Sequence, residues 1–127
     1  LFLSGCATTN QHVLDAGEET QLQKRSYQSR LFDTADKEKV LRATISTLQD
    51  LGFVIDRADL LLGSVSGTKL DGNQVKITVS VRSKGKDRML VRANAQFDIR
   101  PIRDPMHYQN FFASLEKSLF LSAHAGE

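Results

Sequence analysis

The sequence is poor in the residues and motifs from which catalytic and metal sites are built. Its single cysteine, Cys6, cannot form an internal disulfide. The three histidines, His12, His107 and His124, form no cluster with this cysteine or with a pair of carboxylates, as a zinc site would need. A Gly-x-Ser-x-Gly elbow, a phosphate-binding loop and a dinucleotide fingerprint are all absent. We therefore expect no enzymatic activity, no metal and no cofactor.

Long apolar runs and a strong charge excess are also missing. No stretch approaches the roughly 20 apolar residues that a membrane-spanning helix requires. Lysine and arginine number 17 against 15 aspartates and glutamates, and the net charge of +2 is too small by itself to indicate nucleic acid. Of the 127 residues, 40% are hydrophobic and 25% are charged, as expected for one globular domain with a modest core.

The most specific motif lies near the N-terminus and reads Leu3-Ser4-Gly5-Cys6. Apolar and small residues before a cysteine that a polar stretch follows resemble the lipobox of bacterial lipoproteins. In that family the cysteine receives a diacylglyceryl group, the chain is cut before it, and its freed amine is acylated. The resemblance implies that residues 1–5 are the remnant of a signal peptide and that Cys6 is the lipidation site. The alternative is an incidental free thiol near a terminus.

The resemblance also implies a location. A single acyl chain binds a membrane only marginally, whereas the several chains of a mature lipoprotein anchor it stably. Ala7 follows the cysteine, in place of the aspartate that resembles an inner-membrane retention signal. We therefore expect a lipid anchor at the periplasmic face of the outer membrane. Residues 6–26 are largely polar, and we predict that they form a flexible tether with an end-to-end distance of roughly 25 Å.

Hydrophobic periodicity divides residues 27–121 into helices and strands. Alternating residues predict a first strand over 25–32. Apolar residues at spacings of three and four predict a helix over 35–51, capped by Asp33 and Thr34 and ended by Gly52. A second amphipathic helix is predicted from Pro105, with Asp104 as its cap, to about residue 121. Residues 122–127 are expected to fray.

The segment between the two helices is predicted to form four more strands. A short strand over 53–57 and a turn at 58–59 precede a strand over 60–70, in which Gly63 and Gly67 leave one face bare. Turns at 71–73 and 84–87 delimit two alternating strands, 74–82 and 88–100, and Pro101 ends the last one. The odd-numbered residues of both strands, from Val75 to Val81 and from Met89 to Ile99, are apolar where they are predicted to face the core. Strands joined by such short turns form an antiparallel meander with one solvent-exposed face.

These elements predict an α+β domain in which two helices pack on one face of a single antiparallel sheet, in the order β-α-β-β-β-β-α. That order is similar to the TBP-like or helix-grip folds. It also resembles the repeated domains of BamC, a lipoprotein of the machinery that assembles outer-membrane β-barrels. The resemblance covers residues 27–121 in element order only, so it indicates a fold and not a function.

Basic residues dominate the predicted outward face of the sheet and its connecting turn. They are Lys76, Arg82, Lys84, Lys86, Arg88, Arg92 and Arg100. One interpretation is a solvated face whose lysines discourage aggregation at the sheet edge. The other is a docking surface for an acidic protein or for anionic lipid headgroups. Nucleic acid is not expected as a partner, because an exported domain does not meet it and this face lacks stacking aromatics.

Two functional hypotheses follow. The first is a membrane-anchored, non-catalytic scaffold or accessory subunit of a cell-envelope assembly, secretion or efflux complex, with an envelope protein as partner. The second is a carrier of lipid or another apolar ligand, bound in a cleft that strand 60–70, Phe111 and Phe112 would line. A filled core is the simpler interpretation of those residues, so no small-molecule ligand is expected.

Overall fold

The computed structural model describes residues 20–125, with side chains to residue 121. The predicted lipidation site and most of the predicted tether lie outside these residues. Within them the chain forms three helices and one antiparallel sheet, which confirms the predicted α+β class. The helices are α1 (Gln21–Gln28), α2 (Lys37–Asp50) and α3 (Pro105–Ala125). None of these described helices is long and apolar enough to cross a membrane.

The sheet has six strands in the order β1-β5-β4-β3-β2, with β6 paired to β5. Their bounds are β1 (Ser29–Phe32), β2 (Val54–Asp59), β3 (Ser64–Asp71), β4 (Asn73–Lys84), β5 (Arg88–Phe97) and β6 (Arg100–Pro101). Strands β2 to β5 form the predicted meander, and the predicted hairpin turns lie at Gly72 and after Lys84. The first strand adds to the sheet beside β5, so β1 and β2 are far apart although only one helix separates them in sequence.

Helix α2 begins later than predicted and ends as predicted. Its N-cap is Asp36, whose carboxylate accepts a hydrogen bond from the Lys39 amide at 3.1 Å. At the other end Gly52 has a φ of +94°. The Gly52 and Phe53 amides donate to the carbonyls of Gln49 and Leu48, at 3.0 and 2.9 Å. This is a Schellman motif, which requires the left-handed residue that glycine supplies.

The prediction was wrong at the first strand, because residues 21–28 are helical. Thr20 and Gln23 form a capping box, in which each side chain accepts a hydrogen bond from the other residue's amide. A reciprocal cap of this kind satisfies two of the amides that a helix start leaves unpaired. The predicted tether over 6–26 therefore overlaps α1, and the strand shrinks to Ser29–Phe32.

Two further boundaries differ from prediction. Strand β2 continues through the predicted turn to Asp59, and residues 60–63 form the turn instead. Strand β5 stops at Phe97, because Asp98 takes a positive φ of 58° and the chain folds back into β6. Ile99, predicted to face the core, is consequently 88% exposed at the tip of this turn. Helix α3 continues to Ala125, through most of the segment that was expected to fray.

The core lies between one sheet face and helices α2 and α3. Odd-numbered residues of β4 and β5 face it, as their alternation predicted, and the largest fully buried side chains come from the helices. Those helical residues are Leu41, Leu48, Tyr108, Phe112 and Leu115. Gly67 leaves room for the segment that follows α2, since a Cβ there would lie 3.3 Å from the Phe53 Cβ. The bare patch predicted on β3 is thus filled by packing.

Tyr108 joins α1 to the edge of the sheet. Strand β1 pairs with residues 89–92 of β5 and β6 with residues 96–97, which leaves a gap along the β5 edge. Here the Tyr108 hydroxyl donates to the Ile102 carbonyl at 2.6 Å and accepts from the Ala95 amide at 3.2 Å. It also accepts from the Gln28 side chain at 3.2 Å, so α1 is tied over the same gap. Buried backbone groups that no strand can reach are satisfied in this way.

Candidate docking surface

Within residues 20–125, no helix packs as a layer on the sheet face opposite α2 and α3. Even-numbered side chains of β4 and β5 project from it, and Lys76, Thr78, Arg82 and Asn94 among them are exposed. An antiparallel sheet with one face on the core and one in solvent is a common arrangement, so the exposure alone does not identify a site. The chemistry of the side chains decides what this surface can bind.

Short hydroxyl side chains occupy the middle of this open face. The strand register aligns Ser64 with Ser80, and Ser66 with Thr78. Directly opposed residues in antiparallel strands project to the same side, so these hydroxyls are neighbours. Longer basic side chains surround them. The centre of the face is therefore polar and its border is cationic. The hydroxyls and the basic side chains can donate hydrogen bonds to an anionic partner.

Carboxylates are absent from the two central strands. Residues 73–84 and 88–97 contain no aspartate or glutamate. Carboxylates occur on the edge strand β2, where Asp56 accepts a hydrogen bond from the Thr68 hydroxyl and Asp59 accepts one from the Leu62 amide. These carboxylates keep their charge, and Asp56 lies at the border of the open face, since Thr68 is aligned with Lys76. The charged side chains that β4 and β5 themselves contribute to this face are all cations.

The structure separates the seven predicted basic residues into groups. Arg82, Lys84, Lys86 and Arg88 lie at the end of the sheet where β4 turns into β5. Lys76 stands nearer the other end of β4, in register with Thr68 and Gln96. Arg92 lies between them and is half-buried.

Arg100 does not belong to this face. It is in register with Phe97, which in turn is aligned with the core-facing Val75. Because opposed side chains project to the same side, Arg100 belongs to the helix side of the sheet. The prediction extended the alternation of β5 without a break, and the turn at Asp98 reverses it. The predicted single patch therefore loses this residue.

Sequence reasoning missed three basic residues that border the face. Lys24 and Arg25 of α1 line a cleft of about 240 Å³ together with Arg92 and Asn94. Both residues fall in the segment that was predicted to be a flexible tether. The Thr20 and Gln23 pair, which forms a capping box, is the sequence signal that indicates a helix there. The third residue is Arg57 of β2. A register shift between Ile55 and Arg57 aligns Arg57 with Ser66, so its side chain projects from the open face. No sequence signal indicates that bulge.

A cleft between α3 and the sheet corresponds to the predicted carrier site. Its volume is about 250 Å³, below the roughly 300–1,000 Å³ of usual ligand pockets. Phe111 lines it, whereas Phe112 is buried elsewhere in the core. The Lys69 ammonium also lies in this cleft, 4.9 Å from the centre of the Phe53 ring, and donates to the Leu51 carbonyl at 3.4 Å. This geometry gives a carrier of acyl chains little support.

Titratable clusters are few in the part of the chain that the structure describes. Over residues 20–121, no three histidine, aspartate or glutamate side chains lie close enough together to hold a metal ion. The ion pairs found there are peripheral, as in Arg42 with Glu38 at 2.7 Å and Arg30 with Glu116 at 3.8 Å. Exposed pairs of this kind contribute little to stability.

Comparison with known proteins adds no identity: no family model matches the chain, and no curated protein is significantly similar to it.

Proposed function

We propose that this protein is a lipid-anchored envelope protein whose α+β domain acts as a non-catalytic docking subunit of a larger envelope complex. Cys6, through its resemblance to the lipobox cysteine, would carry the anchor at the periplasmic face of the outer membrane. The domain would then present the open sheet face to an acidic protein partner. The observation that carries this proposal is the carboxylate-free basic surface of β4 and β5.

The distribution of charge favours a protein partner for this face. Lys76 and Arg82 lie at separate positions along β4, while Lys24, Arg25 and Arg92 gather around the cleft beside α1. Cations separated in this way fit the extended surface of a folded partner better than a small ligand, which needs a single concave site. Complementary charges at such an interface chiefly set the association rate and the choice of partner.

Cross-linking from the centre of the face tests the docking. A photoreactive residue in place of Thr78 is expected to give one discrete adduct in intact cells. The double variant Lys76→Glu/Arg82→Glu should reduce that adduct at least tenfold, because it reverses two exposed charges beside the cross-linker. The readout is the mass and yield of the adduct on denaturing gels.

Control positions make the cross-linking result specific. Lys117, exposed on α3, supplies both a second cross-linker position and a matched charge reversal, Lys117→Glu. Neither should affect the adduct formed at Thr78. An adduct that survives the double reversal, or that forms equally from position 117, contradicts docking through the open face.

The anchor has its own test. Cys6→Ala is expected to abolish incorporation of radioactive palmitate and to leave the signal peptide uncleaved, because both steps require the lipobox cysteine. Ser4→Ala is the matched control, since alanine at that position keeps the lipobox pattern and labelling should continue. Labelling that persists in Cys6→Ala would refute the anchor and leave the docking proposal to stand on the sheet face alone.

A further inference from the structure

Three consecutive leucines form an exposed turn at one end of the sheet. Leu60, Leu61 and Leu62 connect β2 to β3, and their exposed fractions are 48%, 90% and 71%. Single exposed apolar residues are ordinary on protein surfaces, but contiguous ones indicate a binding surface. We call these three residues the leucine turn. Neither the proposed anchor nor the open sheet face accounts for it.

Hydrogen bonds hold the leucine turn in its exposed position. The Asp59 carboxylate accepts from the Leu62 amide at 2.9 Å, and the Asp59 carbonyl accepts from the Gly63 amide at 2.8 Å. The Gly63 carbonyl accepts from the Val81 amide at 2.8 Å, which ties the turn to β4. Gly63 has a φ of +78° and lies against Lys37. These hydrogen bonds fix the conformation of the turn, and in that conformation the leucine side chains are exposed to solvent.

Cations are grouped at the same end of the sheet. The Lys37 ammonium donates to the Leu61 carbonyl at 3.4 Å. Strand β4 continues past its contact with the turn at Val81 to Lys84, which is aligned with Arg88 of β5, and Lys86 lies in the intervening hairpin turn. Two acids share this end of the sheet: Asp59, whose carboxylate keeps its charge while it accepts from the Leu62 amide, and Asp87 in the hairpin turn. An apolar projection beside several cations has the chemistry of a contact with an anionic lipid surface.

We propose that the leucine turn inserts into the interface of a bilayer that contains anionic lipid, while Lys37, Lys84 and Lys86 contact the headgroups. The turn is convex, so it can enter a deformable lipid interface without a preformed groove on a partner. The basic residues attract the domain to the surface, and the leucines add the short-range apolar contribution. This contact is separate from the acyl anchor at Cys6, and it would hold the domain in one orientation on the membrane.

Vesicle co-sedimentation tests this contact without the anchor. The full chain carrying Cys6→Ala is expected to sediment with vesicles of equal parts phosphatidylglycerol and phosphatidylcholine. Leu61→Ser/Leu62→Ser should weaken this binding roughly a hundredfold, at about tenfold for each leucine removed from the interface. Lys84→Gln/Lys86→Gln should weaken it about tenfold or more, and binding to pure phosphatidylcholine should be much poorer.

Ile99→Ser is the matched control, because Ile99 is 88% exposed in a turn at the opposite end of the sheet. It should bind the mixed vesicles as the parent chain does. Equal binding by the double leucine variant and the parent overturns the proposal, as does absence of binding to the mixed vesicles. So does binding that Ile99→Ser weakens equally. A double leucine variant that still binds vesicles but loses the adduct formed at Thr78 would assign the turn to the protein partner instead, and would likewise overturn it.

Discussion

Replacing Phe112 with alanine is expected to lower the free energy of unfolding by about 3–5 kcal/mol. The side chain is 1% exposed in α3 and packs edge-on against Phe111, with ring centres 5.1 Å apart. It also faces Phe32 of β1 at 6.5 Å and the Arg30 guanidinium at 5.2 Å. Truncation would leave a cavity where the helix layer meets the first strand. A small domain has only about 5–15 kcal/mol of stability in total, so much of it would be lost.

Urea unfolding followed by circular dichroism measures this effect. Phe120→Ala is the matched control, since it removes the same side chain from the same helix at a position that is 59% exposed. We expect the control to cost less than about 1 kcal/mol. Similar losses for the two variants would mean that α3 does not pack on the sheet through Phe112.

Gly63→Ala is expected to cost about 3 kcal/mol through strain at the leucine turn. A Cβ built at Gly63 lies 2.4 Å from the Val81 carbonyl oxygen and 2.7 Å from the Lys37 Cε. The lysine side chain can move aside, but the carbonyl belongs to β4 and cannot move without disturbing the sheet. Alanine would also be strained by the left-handed backbone, with its φ of +78°.

Gly85→Ala separates these two contributions in the same urea experiment. Gly85 has a similar φ of +74°, and nothing lies within 4 Å of a Cβ placed there. Gly85→Ala should therefore lower the free energy of unfolding only by the cost of a left-handed backbone at alanine, about 1–2 kcal/mol. If Gly63→Ala costs no more than Gly85→Ala, the close approach of the turn to Val81 is not a constraint on the fold.

The two proposed contacts use different parts of the molecule. The leucine turn and Lys86 lie at the end of the sheet where β4 turns into β5, whereas Thr78 and Lys76 lie progressively nearer the opposite end. A domain resting on the bilayer through the leucine turn would keep Lys76 away from the lipid. The open face would then remain accessible to a protein partner beside the membrane.

Local patterns were sufficient for much of the fold. The alternation in β4 and β5 correctly predicted which residues are buried up to Ala95, and Gly52 correctly marked the end of α2. Asp104 caps α3 as predicted, with its carboxylate accepting from the Met106 amide at 3.0 Å. These features depend on residues a few positions apart, so a single sequence contains the information that decides them.

The candidate surface was less predictable, for a physical reason in each case. Arg100 left the face because the backbone reverses at Asp98, and Arg57 joined it because a bulge in β2 shifts the register. The leucine turn had the composition of a strand. Its conformation depends on the bond from the Val81 amide to the Gly63 carbonyl, across separate strands. Each of these outcomes depends on a backbone geometry that composition does not specify.

The sequence by itself determined the α+β class, the meander of β2 to β5 and the helices that flank it, because hydrophobic period and turn chemistry act locally. Only the tertiary structure decided that β1 lies against β5, that α1 covers the remaining gap, and which side chains share the open face. Pairing between distant segments depends on the entropy of closing the intervening chain and on the packing of Tyr108 and Phe112 against their neighbours. Both contributions depend on which distant segments come into contact, and a local sequence pattern does not specify that contact.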